Sequence, residues 1–306
     1  MNESRKVRFG FQATGDFKDH LVGSAKRAEQ IGFDTFLLSD HVTMGVSPMI
    51  GLAAVATATE RIRLGTMVLN NDMRNPVQLA WEAASIDQLS NGRFELGLGA
   101  GHTPAEYAGT GIDLDVASVR KHRLREAVDI IKQLLAGDTV DFEGEFYQIE
   151  GATSIAPIQD ELPIYIGGSG KSLLEHAGRV ANTVGLTGMG KLRSDGHRHA
   201  VKWTVDHLEA QLGQIGGGAS TRGSGVELSC LVQVVDITDD RESGFAAVLE
   251  KVQGLTLADV EQTPYVLVGS VEEIVASINR VRDRWGITYF VVRELDAMEP
   301  VIAEFG

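Results

Sequence analysis

An acid beside a histidine, Asp40–His41 in "LLSDHV", closes a short apolar run. An imidazole in such a place can give or take a proton near neutral pH, or hold a reacting oxygen by a hydrogen bond. A second stretch with chemical capacity is "LGLGAGHTPAEY" (Leu96–Tyr107), where glycines alternate with apolar residues and His102 and Glu106 follow. Read from Gly97, the letters G-L-G-A-G-H fail the dinucleotide fingerprint, because the sixth position is His102 and the run follows the fourth strand candidate, not the first. Its glycines, Gly99 and Gly101 among them, read instead as a strand whose missing side chains let a planar ligand approach the backbone. Pro104, Gly109 and Gly111 argue against a helix directly after it. A third stretch, "YIGGSGKSLLEHAG", places Gly167, Gly168, Ser169 and Gly170 between a strand and a helix. Backbone N–H groups, flexible glycines and a serine hydroxyl there suit a phosphate; the other reading is a tight turn capped by Ser169. His20, His122, His176, His197, His199 and His207 read as surface or packing residues, and no spacing suggests a metal site.

These groups need a scaffold, and the chain alternates short β-branched runs with longer stretches of helical period. Strand candidates are Val7–Ala13, Thr35–Asp40, Arg63–Leu69, Phe94–Ala100, Pro163–Gly168, Asn182–Gly188, Glu227–Val235 and Tyr289–Glu294. Helices are expected at Asp16–Ile31, Pro76–Ser90, Val116–Leu135, Lys171–Ala181, Ala200–Leu212 and Val271–Arg284. Eight such strands predict a (β/α)8 TIM barrel, an α/β fold formed by residues 1–306 as a single domain, in preference to a doubly wound sheet. Barrel chemistry sits at the carboxyl ends of the strands, where Asp40, His41, His102 and the Gly167–Gly170 turn all fall. Two insertions interrupt the rhythm. Ala136–Pro163, before the fifth strand, reads as a small hairpin plus an extended segment. Gly213–Gly225, between the sixth and seventh, is so rich in glycine that a mobile loop is expected.

Composition narrows the class of protein. The 306 residues are 43% hydrophobic and 23% charged, as in a globular chain with a large core. A formal net charge of −14 argues against nucleic acid or an anionic membrane as partner. No apolar run approaches bilayer length, and the first ten residues show no signal-peptide pattern. The single cysteine, Cys230, has no partner for an internal disulfide and reads as an inert buried thiol, so the cytoplasm is the expected compartment.

Taken in order, "SDH" (Ser39–His41), "RLGTMVL" with "RNP" (Arg74–Pro76), "SNGRFELGLGAG" (Ser90–Gly101), "RKHRLREAVDIIKQL" (Arg120–Leu134), "FEGEFYQIEGA" (Phe142–Ala152), "YIGGSG" (Tyr165–Gly170) and "VGSVEEIVASINRVRDRWGITYFVV" (Val268–Val292) resemble the luciferase-like monooxygenase superfamily, particularly its coenzyme F420-dependent oxidoreductases. The resemblance covers nearly the whole chain. It implies the same barrel, with coenzyme F420, or FMN as the alternative, across its mouth. It further implies a non-prolyl cis peptide at the end of the third strand, which "TMVL" places at Met67–Val68 beside Thr66, and a phosphate turn at Gly167–Gly170. Arg120 matches a family arginine near the cofactor; a salt bridge on the helix face is the other reading. Lys191 and Arg193 fall where relatives bind anionic groups. His102 departs from the glutamate that related sugar-phosphate dehydrogenases use as a proton donor, so their substrate and acid do not transfer. His102 then either donates a proton itself or lines the pocket. The implied reaction is hydride transfer between the deazaflavin C5 and a small organic substrate, with His41 as acid/base and Asp40 orienting its loop. An FMN monooxygenase and a non-catalytic flavin-binding barrel are the rivals. A homodimer, and an enzyme that re-reduces the cofactor, are partners expected from the family.

Overall fold

The computed structural model describes residues 5–13, 20–42, 45–192, 199–222, 225–252 and 254–306. Along the chain run β1 (Arg8–Ala13), α1 (Leu21–Ile31), β2 (Thr35–Leu38), α2 (Pro48–Ala56), β3 (Arg63–Thr66), β4 (Leu69–Asn70), a 3-10 turn (Asn71–Met73), α3 (Pro76–Leu89), β5 (Phe94–Gly99), α4 (Pro104–Thr110) and α5 (Ala117–Leu135). There follow β6 (Val140–Glu143), β7 (Gln148–Ala152), β8 (Ile164–Gly167), α6 (Lys171–Val180), β9 (Thr183–Leu186), β10 (Met189–Leu192), β11 (His199–Val201) and α7 (Val205–Ala219). The chain ends with β12 (Glu227–Leu231), β13 (Val234–Ile237), α8 (Arg241–Lys251), α9 (Leu257–Gln262), β14 (Val266–Gly269), α10 (Val271–Trp285), β15 (Ile287–Val292) and α11 (Glu299–Ala303).

Contacts divide the chain into two compact units: a central one, residues 13–29 and 35–167, and a terminal one, residues 1–12, 30–34 and 168–306. In the central unit β2, β3, β5 and β8 are parallel neighbours, in registers such as Thr35↔Arg63, Leu64↔Phe94 and Leu96↔Ile164, and β4 continues the β3 line beside β5. In the terminal unit β1, β15, β12 and β9 are parallel in that order, with Arg8↔Tyr289 and Glu227↔Thr183 in register. These strands are the eight expected segments, and their near-continuous burial is that of parallel strands covered on both faces. At the amino ends each unit holds one arginine–glutamate pair: Arg63 on Glu95 at 2.5 Å, and Arg8 on Glu227 at 2.7 Å with the Arg8 guanidinium 3.6 Å from the centre of the Tyr289 ring. No described helix is long and apolar enough to cross a membrane.

The expected hairpin in Ala136–Pro163 is the antiparallel pair β6–β7. Its tip is fixed by the Glu126 carboxylate of α5, which accepts from the N–H groups of Glu145 and Phe146 at 2.8 and 2.9 Å. The glycine-rich loop expected at Gly213–Gly225 is corrected: α7 runs to Ala219 and includes Gly213 and Gly216–Gly218. At Gly218 glycine is required, because α6 and α7 cross there at backbone contact. A Cβ on Gly178 would lie 2.2 Å from the Ile215 carbonyl oxygen, and one on Gly218 would lie 1.9 Å from that of Glu175. The helix expected from Ala200 starts instead at Val205, because 199–201 form β11. Of the helix expected over Asp16–Ile31, Leu21–Ile31 is seen; residues 14–19, together with Arg193 and His197, lie outside the described residues.

Candidate active site

The site assembles at the carboxyl ends of β2, β3 and β5 in the central unit. Beyond β2, the Asp40 carboxylate accepts two bonds from the Arg74 guanidinium, at 2.5 and 2.8 Å, and a third from the Asn70 N–H at 2.7 Å. Asp40 is therefore a buried brace that fixes the chain just past β4. The next residue, His41, keeps about a third of its side chain exposed, and its Nδ1 lies 2.7 Å from Oε1 of Glu106. A carboxylate oxygen accepts, so Nδ1 carries the proton and Nε2 is the nitrogen left to serve as acceptor or base.

Glu106 was not singled out as a partner for His41. It occupies the first turn of α4, against the expectation from Pro104, Gly109 and Gly111 that no helix starts here. The correction is local: Thr103 precedes the helix and Pro104 stands at its first position, where the missing N–H costs no bond. "T-P-A-E" was the legible sign of a helix start. Behind Glu106, the Tyr107 hydroxyl lies 3.0 Å from Asp72 Oδ2 and 3.2 Å from Asn70 Oδ1. Burial, with Asp72 beside it, pushes the phenol up to about 12, so it stays protonated and donates. Asp72 in turn meets Arg123 of α5 at 3.0 Å, and Arg123 lies over the Phe146 ring. Asn70, Asp72, Arg74, Tyr107 and Arg123 thus form a support that the sequence pattern did not single out.

The peptide between Met67 and Val68 is cis, as the resemblance implied. Met67 N–H donates to the Leu38 carbonyl at 2.8 Å, tying this bulge to the end of β2 just before Asp40. Thr66 is buried and its hydroxyl exchanges two hydrogen bonds with Gly97, at 2.9 and 2.8 Å. The glycines serve the protein's own close approaches. A Cβ on Gly99 would lie 2.6 Å from Val68 Cγ2, and one on Gly167 would lie 3.0 Å from Val68 Cγ1. Gly101, at φ +69°, leaves room for the Tyr107 hydroxyl, which a Cβ would approach to 2.1 Å. Arg120 donates to the carbonyls of Ala100, Gly101 and Asp115, so it clamps the end of β5 through backbone acceptors. His102 is exposed on the same loop, and its ring stands edge-on to that of His41 with centres 6.1 Å apart.

In the terminal unit Gly168 and Gly170 adopt φ values of +157° and +92° ahead of α6. No side chain caps that helix, so the N–H groups of its first turn point toward whatever lies before it. Ser169 belongs to this turn and is exposed. Lys191 lies on β10.

The family model for the luciferase-like monooxygenase matches residues 9–243. The chain belongs to that family. An F420-dependent glucose-6-phosphate dehydrogenase of Microbacterium testaceum is 35% identical over 185 residues, a match covering 57% of this chain and 55% of that protein. The chain thus spans about half the length of the curated relatives it matches. The coenzyme F420-dependent tetrahydromethanopterin reductase of Methanopyrus kandleri superposes with a TM-score of 0.78 at 21% identity, over 99% of this chain and 100% of that one. A type II Baeyer–Villiger monooxygenase component from Pseudomonas putida, in complex with FMN, gives 0.71 at 16%, over 98% and 96%. These likenesses establish the fold as the (β/α)8 barrel expected from the strand count.

Proposed function

We propose that the protein is an oxidoreductase that uses coenzyme F420 to exchange hydride with a small organic substrate, with all 306 residues acting as one barrel domain. The observation that carries this reading is the His41–Glu106 pair, held at 2.7 Å on the loop that the cis Met67–Val68 peptide braces. The relatives named for F420 support the choice of cofactor, and the match over residues 9–243, which crosses both compact units, supports a single domain.

The residues present fit a flavin-like group with a phosphate. The uncapped start of α6 after Gly168, Ser169 and Gly170 offers backbone donors to the phosphate, with Gly167 closing the preceding strand. Thr66, Met67 and Val68 supply the bulge, and Gly99, Gly101 and Arg120 hold the end of β5 in place beside it. When bound, the deazaflavin supplies a ring carbon that takes or gives a hydride. His41 holds the reacting substrate oxygen at Nε2 and takes or gives its proton. Glu106 keeps the ring turned for that task, Asp40 keeps the loop in place, and His102 lines the pocket beside His41. An FMN-dependent monooxygenase is the second reading, favoured by the likeness to the FMN complex.

Calorimetric titration with oxidised F420 and with FMN tests the cofactor; tighter binding of FMN would sink the first reading. His41→Ala is expected to cut turnover by about 100- to 10,000-fold while changing cofactor affinity little. Unchanged turnover would remove His41 from the chemistry.

A further inference from the structure

Among the described residues, half-buried arginines are engaged by carboxylates or carbonyls at several places: Arg8 by Glu227, Arg63 by Glu95, Arg74 by Asp40, Arg123 by Asp72, and Arg93 and Arg120 by backbone oxygens. Arg293 is different. It follows β15 directly, at the carboxyl end where Val292 pairs in register with Phe11 of β1. Its Nε donates to Oε1 of the buried Gln12 at 3.0 Å, and no carboxylate forms an ion pair with it among the described residues. The adjacent Glu294 turns its carboxylate to the Arg293 backbone N–H at 3.0 Å. Both Nη groups carry no hydrogen bond among the described residues. Burial lowers the guanidinium from its ordinary value, only partly offset by Glu294, so the structure bears a desolvation cost that no ion pair among the described residues repays.

We propose that Arg293, oriented by Gln12, is an oxyanion-binding residue that receives a phosphate or carboxylate group of the substrate or cofactor. With Nε engaged by Gln12, the two Nη groups form the end-on fork that pairs with two oxygens of one such group. The carboxyl ends of the strands are where barrels of this fold bind their ligands. In a chain of formal net charge −14, a half-buried guanidinium whose Nη groups meet no carboxylate among the described residues marks a place where an anion is accepted. The site stands on Arg293 and Gln12 alone and does not rest on the cofactor reading.

The test titrates sodium phosphate and sodium acetate into the whole protein at constant ionic strength set by sodium chloride, with binding read from the thermal shift. Wild type, Arg293→Gln and Gln12→Glu are compared. Gln12→Glu places a carboxylate against Nε of the guanidinium and so offsets its charge from within while keeping the size of the side chain. Affinity for at least one anion is expected to fall about tenfold or more in both variants. Any phosphate held at the Gly168–Gly170 turn is common to all three proteins and cancels in the comparison. Should Arg293→Gln fail to fold by circular dichroism, Gln12→Glu decides. Equal affinity in wild type and variants, or no binding by wild type beyond the chloride reference, overturns the proposal. Repeating the titration with saturating oxidised F420 separates the sources: loss of the Arg293-dependent part assigns the site to the cofactor's own anions, and its retention assigns it to the substrate. Failure to bind F420 would sink the cofactor reading and leave the anion arms intact.

Discussion

His41 is exposed enough that, unheld, its ring would sample several rotamers, and a base in the wrong orientation is a poor base. Glu106 removes that freedom at one nitrogen. Glu106→Ala is therefore expected to lower kcat by more than about tenfold, with KM and F420 affinity little changed. Glu106→Gln keeps an oxygen for Nδ1–H and should recover much of the loss. Steady-state kinetics of these variants beside Glu106→Leu decides between positioning and mere packing, because leucine fills the space without accepting from Nδ1–H and would rescue only a packing role. At this scale the sequence showed which residue types gather at the strand ends but not where their atoms are directed. Asp40 and Arg120 look equally suited to touching a ligand, yet each is engaged by its own protein. Glu106 was in view at the loop but carried no sign of facing His41, because 65 residues separate the two and only the fold joins them.

The sharpest correction among the elements is α7, and it carries its own test. Gly218 lies against the Glu175 backbone, whereas a Cβ on neighbouring Gly217 would meet nothing within 4 Å. Gly218→Ala is expected to destabilise the protein by about 1–3 kcal/mol through forced separation of α6 and α7. Gly217→Ala should stabilise it by about 0.5–1 kcal/mol, because alanine loses less backbone freedom in a helix. Denaturant melts of both variants report the sign, and equal effects would refute the close-crossing account. Four glycines in one helix read as a loop because propensity sees each residue alone, while contact between two backbones outweighs it. Regular elements were legible for a simpler reason. The apolar runs of β1, β5 and β15 and the proline starting α3 are local signals, and the structure keeps them within a residue or two. The short apolar α2 (Pro48–Ala56) lacked any such period and went unpredicted.

For the molecule as a whole, the count of eight strands carried the fold correctly, because burial on both faces writes each strand as an unbroken apolar run. Association is less visible in a sequence. Ile50 of α2 is 70% exposed and Trp81 of α3 is 58% exposed, large apolar side chains on neighbouring helices of the central unit. If the chain pairs as the resemblance implies, these side chains are the face that a second copy would cover. Light scattering should then give twice the chain mass, and Ile50→Glu should give a monomer with its melting temperature little changed. A monomeric wild type would end that expectation. The lone cysteine, meanwhile, has a use outside catalysis. Cys230 is fully buried, and burial holds its thiol up as the unreactive protonated form. The folded chain therefore offers a silent background for thiol labelling: a cysteine placed at any chosen surface position becomes the sole attachment point for a dye or spin label, with no native residue to remove first.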